Sequence, residues 1–130
     1  MDNYKVLVVD DDPVVQFLHR QLVLKAGISS EVWVFNNGKE AIQYLLSEAK
    51  ADCPHLVLLD INMPVMDGWE MLDILKLTQT PVDVIVVSSS INKEDREKAL
   101  TYKMVSAYLS KPLKSSSEIT KLMIKDSTGL

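Results

Sequence analysis

The chain holds one cysteine and four glycines in 130 residues, no long apolar run and no surplus of positive charge, and each shortage removes a class of protein. Cys53 has no partner for an intramolecular disulfide, and between Asp52 and Pro54 it has no neighbour at metal-ligand spacing, so it reads as a spare loop thiol. No stretch reaches the ~18 apolar residues of a spanning helix, and residues 1–30 lack a basic start followed by an apolar signal core. A cytoplasmic protein without membrane contact is expected. The formal net charge of −4, with Lys and Arg dispersed, argues against nucleic acid as a partner. None of the glycines falls in the turn after the first apolar run, which reads Asp10-Asp11-Asp12-Pro13, so a phosphate-cradling glycine loop of the nucleotide-binding kind is missing.

What is present is the make-up of a soluble globular domain, 47% apolar and 25% charged. A chain of this length forms one domain that buries roughly two-thirds of its unfolded surface. Five apolar runs, at 5–9, 31–35, 56–60, 83–88 and 106–110, alternate with five helical stretches. That alternation implies an α/β fold, a parallel sheet with helices on both faces. Asp12-Pro13 opens the first helix and Gly27 follows its end. Asn37-Gly38 and Asp67-Gly68 precede the second and third helices, and Asn92 with Asp95 resembles a capping box for the fourth. The last helix is expected to be short and weak, Ser115-Ser116-Ser117 leading to Ile119, Leu122, Met123 and Ile124.

Right-handed crossovers put the carboxyl ends of the first, third, fourth and fifth strands at one edge, where open α/β sheets bind ligands. Asp10, Asp11, Asp60, Ser88 and Lys111 should converge there. Three neighbouring carboxylates repel by on the order of 1–4 kcal/mol per pair, so a hard cation is expected: Mg²⁺, or Mn²⁺, held by Asp10, Asp11, Asp60 and the backbone carbonyl of Asn62. Lys111 can pair with Asp60 before a reaction and with a phosphoryl oxygen after it, and the Ser88 hydroxyl can donate to the same group. Asp12 reads as an N-cap rather than a ligand. Asp67 and Asp73 read as capping or solvated acids, and Ser89 and Ser90 as loop hydroxyls, Ser90 being placed to face an attacking water. His19 and His55 read as structural, Trp33 and Trp69 as packing.

Val8-Val9-Asp10-Asp11-Asp12-Pro13, Leu59 through Gly68 (LDINMPVMDG), Val87-Ser88-Ser89 and Lys111-Pro112 together resemble the receiver domain of two-component response regulators, from about residue 4 to 124. The resemblance implies a flavodoxin-like, doubly wound five-stranded sheet and a phosphoryl group accepted on Asp60 from a sensor histidine kinase or histidine phosphotransfer protein. It implies Mg²⁺ on Asp10, Asp11 and Asp60, a hydroxyl switch at Ser88, an aromatic switch at Tyr108 and a phosphate-contacting Lys111. On phosphorylation Ser88 would move to the phosphoryl oxygen and Tyr108 would turn inward, altering the surface of the fourth helix, fifth strand and fifth helix. Val14, Val15 and Leu18 of the first helix would dock on the donor.

The chain departs from the family pattern in two places: Ser88 stands for the commoner threonine, and Tyr102-Lys103-Met104-Val105-Ser106 lacks the glycine common before the last strand. Residues 1–130 read as a single receiver domain with a short tail, residues 125–130 being too few for an output domain, so the chain is expected to bind an as yet unknown downstream protein or to relay, and to catalyse only its own phosphorylation and dephosphorylation. A degenerate pseudo-receiver would lack an acid, the hydroxyl or the lysine, and all are present. A Mg²⁺-dependent phosphatase of the haloacid dehalogenase type would carry an acid two residues after its nucleophile, where Asn62 stands.

Overall fold

The computed structural model describes residues 5–29, 31–49, 55–90 and 92–128, with side chains as far as residue 122. Cys53 and the side chains of Met123 and Ile124 lie outside the described residues. Strands and helices alternate as β1 (Lys5–Val9), α1 (Pro13–Ala26), β2 (Val32–Phe35), α2 (Gly38–Glu48), β3 (His55–Leu59), α3 (Gly68–Thr78), β4 (Val82–Ser88), α4 (Lys93–Leu100), β5 (Val105–Ser110) and α5 (Ser117–Thr128). All pairings are parallel, in the order β2-β1-β3-β4-β5. This is the flavodoxin-like order, with its switch point between β1 and β3.

The apolar runs 6–9 of β1, 56–59 of β3 and 84–87 of β4 follow from burial on both faces. Leu7, Val9, Val57, Leu59, Val84 and Val86 pack with Ala41 and Leu45 of α2, Met71, Leu72 and Leu75 of α3 and Ala99 of α4. Their alternates Val6, Val8, Leu56, Leu58, Ile85 and Val87 pack with Val23 of α1 and Ile119 of α5. Two cores thus lie back to back across one sheet.

Polar side chains set where the helices begin. Asp12 accepts from the Val14 amide (2.9 Å), Asn37 from Glu40 (3.0 Å) and Asp67 from Glu70 (2.9 Å). At α4 the expected capping box is replaced by a relay. Asn92 accepts from the Glu94 amide (2.8 Å), but Asp95 accepts from the Ser90 hydroxyl (2.8 Å), whose oxygen accepts from the Asn92 amide (3.2 Å). The Ser90 hydroxyl is therefore engaged at the start of α4. The last helix is longer than expected, 12 residues, because serines that are poor inside a helix serve at its start.

Pairing of β4 with β5 slips by one residue: Val84 pairs with Val105 but Ile85 with Ala107, which leaves Ser106 as an extra residue. Beyond that bulge Ser88 stands opposite Ser110, and the Lys111 amide donates to the Ser88 carbonyl (2.9 Å). Since a one-residue slip reverses the facing of every later side chain, the bulge decides which way Lys111 points. The turn into β5 needs no glycine. It closes through the Val105 amide to the Tyr102 carbonyl (3.0 Å), and none of its residues has positive φ. Asp73 is exposed, as a solvated acid would be, and it also accepts a 2.6 Å hydrogen bond from the Tyr102 hydroxyl, tying α3 to that turn.

Candidate functional site

At the carboxyl edge the acids stand one residue past their strands. The Asp10 amide donates to the Phe35 carbonyl (3.1 Å) and the Asp60 amide to the Val9 carbonyl (3.0 Å), so the ladder hydrogen bonds continue through both acids and fix their backbones. Both side chains are buried, Asp10 at 2% exposed and Asp60 at 4%. Lys111 Nζ bridges them, 3.0 Å from Asp10 Oδ2 and 3.2 Å from Asp60 Oδ2. The remaining oxygens accept backbone amides: Asp10 Oδ1 from Asp12 (2.9 Å) and Asp60 Oδ1 from Asn62 (3.3 Å). The pairing of Lys111 with Asp60 matches expectation, whereas its shorter pairing with Asp10 was not foreseen.

Burial and the Asp10 charge push the Asp60 carboxyl above the usual carboxylate range, against the pull of Lys111 and the Asn62 amide. Burial pulls the Lys111 ammonium down, but the hydrogen bond to Asp10 and the charges of Asp60 and Asp10 outweigh it, and its pKa lies above the ordinary lysine value. One cation thus serves two buried anions. Asp11 is exposed, and carboxylate oxygens of Asp10, Asp11 and Asp60 all lie within 4.8 Å of one another. An all-oxygen donor set with surplus negative charge and one open side fits a hard divalent cation such as Mg²⁺. Asp12 is spent on its cap.

Ser88 is buried beside the acids, its hydroxyl oxygen accepting from the Ser90 amide (3.1 Å). Tyr108 is already turned in, 9% exposed, with its hydroxyl donating to the Ser90 carbonyl (3.1 Å). This is the inward position that the resemblance assigns to the aromatic switch.

The loop from β3 to α3 frames the open side. The Gly68 amide donates to the Ile61 carbonyl (2.8 Å), and a Cβ on Gly68 would meet Ile61 Cα at 2.8 Å, so only glycine lets α3 start this close to the strand end. Within the loop the Met66 amide donates to the Pro64 carbonyl (2.8 Å) around Val65, whose φ of 69° is left-handed. That is a γ-turn centred on a β-branched residue, an uncommon and strained arrangement.

On α1, Val14 (66% exposed), Phe17 (62%) and Leu18 (41%) form one apolar face beside the site. Val15 corrects the expectation: at 8% exposed it points into the protein, because the helix turns about 100° per residue and Val14 and Val15 cannot share a face. Phe17, three residues from Val14, was missed, since apolar residues surround most of α1. Both histidines are internal, His19 accepting from the Leu113 amide (3.1 Å) and His55 3.3 Å from the Tyr44 hydroxyl.

Comparison with known proteins agrees with this geometry. The family model of the response regulator receiver domain matches residues 6–123. A solved two-component response regulator from Cytophaga hutchinsonii superposes with a TM-score of 0.82 at 28% identity, covering 98% of this chain and 99% of that one. The probable C4-dicarboxylate response regulator DctR of Bacillus subtilis is 33% identical over 111 residues, 85% of this chain and 47% of that protein. A protein-glutamate methylesterase/protein-glutamine glutaminase of Mesorhizobium japonicum is 37% identical over 87 residues, 67% of this chain and 24% of that protein. The chain therefore spans about half the length, or less, of these curated relatives. No helix among the described residues is long and apolar enough to cross a membrane.

Proposed function

The chain belongs to the response regulator receiver domain family, and from that premise we propose that Asp60 accepts a phosphoryl group from a phosphohistidine on a sensor kinase or phosphotransfer protein. The phosphorylated domain then binds a downstream protein or passes the group on. The observation that carries the reading is the bridge of Lys111 Nζ between two buried carboxylates, Asp10 and Asp60, at 3.0 and 3.2 Å. An ammonium so placed can leave one acid for a phosphoryl oxygen without crossing solvent.

In the transfer, an Asp60 oxygen forms a bond to phosphorus as the donor's N–P bond breaks, and the imidazole leaves with that electron pair. Lys111 swings its charge to the phosphoryl oxygens, and the Ser88 hydroxyl, freed from the Ser90 amide, donates to one of them. Asp10, Asp11, Asp60 and the Asn62 carbonyl would hold Mg²⁺, which when bound neutralises charge on the phosphoryl group. The product is an acyl phosphate. Its hydrolysis restores the carboxylate, so the chemistry is confined to the domain's own aspartate. Val14, Phe17 and Leu18 form the face on which the donor's helices rest.

Incubation with Mg²⁺ and acetyl phosphate, read by intact mass, tests the assignment. The wild type should gain one phosphoryl group and Asp60→Asn none; incorporation by the variant at the wild-type rate would show that another residue is the acceptor. Lys111→Ala is expected to slow the gain.

A further inference from the structure

One buried titratable side chain has no part in the chemistry above. His19 lies on α1 at 1% exposed, and its Nε2 accepts the backbone N–H of Leu113 at 3.1 Å, joining residues 94 apart in sequence. Leu113 comes two residues after Lys111, with Pro112 between them. Proline has no N–H, so this segment has two backbone donors. The Lys111 amide is held by the Ser88 carbonyl of β4 (2.9 Å) and the Leu113 amide by His19. The segment that carries the ammonium is thereby pinned on both sides of the lysine, once to the sheet and once to α1.

An apolar side chain at 19 would leave the Leu113 amide without an acceptor in a buried setting, Leu113 itself being 4% exposed. The segment would have to move toward water or toward another acceptor. Accepting at Nε2 requires a neutral ring with its proton on Nδ1. Burial, the largest influence, pushes the His19 pKa down and so favours that form; Asp10 just past β1 and Glu118 on α5 oppose it, and Lys111 reinforces it.

We propose that His19 is a positioning residue for phosphotransfer, setting through the Leu113 amide the place from which Lys111 reaches Asp60. This rests on Asp60 being the phosphoacceptor. His19 touches neither substrate nor metal, and its effect is geometric: displacing a charge-bearing group by about 1 Å can cost up to 10²-fold in rate.

Three substitutions separate positioning from mere packing. Gln can place an amide oxygen where Nε2 lies, Asn reaches only about as far as Nδ1, and Leu offers no acceptor. With acetyl phosphate and saturating Mg²⁺, His19→Gln should phosphorylate within about threefold of wild type, and His19→Asn and His19→Leu about tenfold more slowly. The Leu113 amide and Lys111 ammonium NMR signals should stay near wild type in the Gln variant and shift in the other two. Equal rates in all four proteins would overturn the proposal, as would equal losses with Gln and Asn, which differ in reach but not in chemistry. If His19→Leu fails to fold, the Gln and Asn pair decides alone. Were the wild type itself to take up no phosphoryl group, the Asp60 assignment would fail, while the two NMR signals would still show whether His19 positions Lys111.

Discussion

Lys111 sits closer to Asp10 than to Asp60, 3.0 Å against 3.2 Å, so the residue that holds the ammonium most tightly is not the proposed nucleophile. Removing the Asp60 charge leaves the lysine paired. The raised Asp60 pKa, caused by burial and by Asp10, means that ionising it costs folded-state stability above its unfolded pKa, and the cost is complete once the pH exceeds the folded one. Asp60→Asn should therefore raise stability at neutral pH in metal-free buffer by on the order of 1 kcal/mol, roughly 3–5 °C in Tm. A thermal melt followed by circular dichroism checks this, and a lowered Tm would contradict it.

Lys111→Arg should not restore the rate lost in Lys111→Ala. A compact ammonium fits between two carboxylates and can move to a phosphoryl oxygen, whereas a planar guanidinium is held in a fixed fork. Full recovery with arginine, measured by acetyl phosphate uptake, would show that charge alone suffices.

Phe17→Ala removes the largest exposed apolar side chain of α1 without opening the core. Phosphotransfer from a histidine phosphotransfer protein should slow about tenfold, while uptake from acetyl phosphate stays at the wild-type rate. Equal loss with both donors would mean that Phe17 acts on the fold rather than on docking.

Tyr102 tests the tie between α3 and the turn before β5. Burial, then the hydrogen bond and charge of Asp73, pushes its phenol up to about 12. A folded pKa above the unfolded one contributes stability that is present below the unfolded pKa of about 10 and lost as the pH rises toward 12. Tyr102→Phe should lower stability at neutral pH by about 1–2 kcal/mol. Ultraviolet titration should show one phenol fewer ionising near pH 12.

Val65→Gly should raise stability by roughly 0.5–1 kcal/mol, because relief of a left-handed β-branched residue exceeds the added freedom of glycine in the unfolded chain. Urea titration gives the value, and a loss of stability would show that the exposed Val65 side chain makes a contact worth more than its strain.

The strand ends bearing Asp10 and Asp60 were legible because parallel strands buried on both faces are continuous apolar runs, and a charge closing such a run marks the edge of the sheet; Lys111 ends the half-exposed edge strand β5 and was legible from the Lys111-Pro112 pair. What stayed illegible was non-local. Val105-Ser106-Ala107-Tyr108 reads as a strand with or without a bulge, since the extra residue is defined only by its partner strand. His19 and Leu113 meet across 94 residues, beyond any local pattern. Val15 and Phe17 could not be ranked because α1 is apolar around most of its circumference. Ser90 and Asp95 had the spacing to act alone, and only the fold shows that they act on each other.

The back-to-back cores have a spatial consequence. Helix α1, with its exposed face of Val14, Phe17 and Leu18, packs on one side of the sheet, and α4 packs on the other. If the donor docks on α1 as proposed, the sheet lies between its seat and α4. On the proposed function, donor contact and any target contact at α4 are thus separable surfaces, and changing one face leaves the other intact.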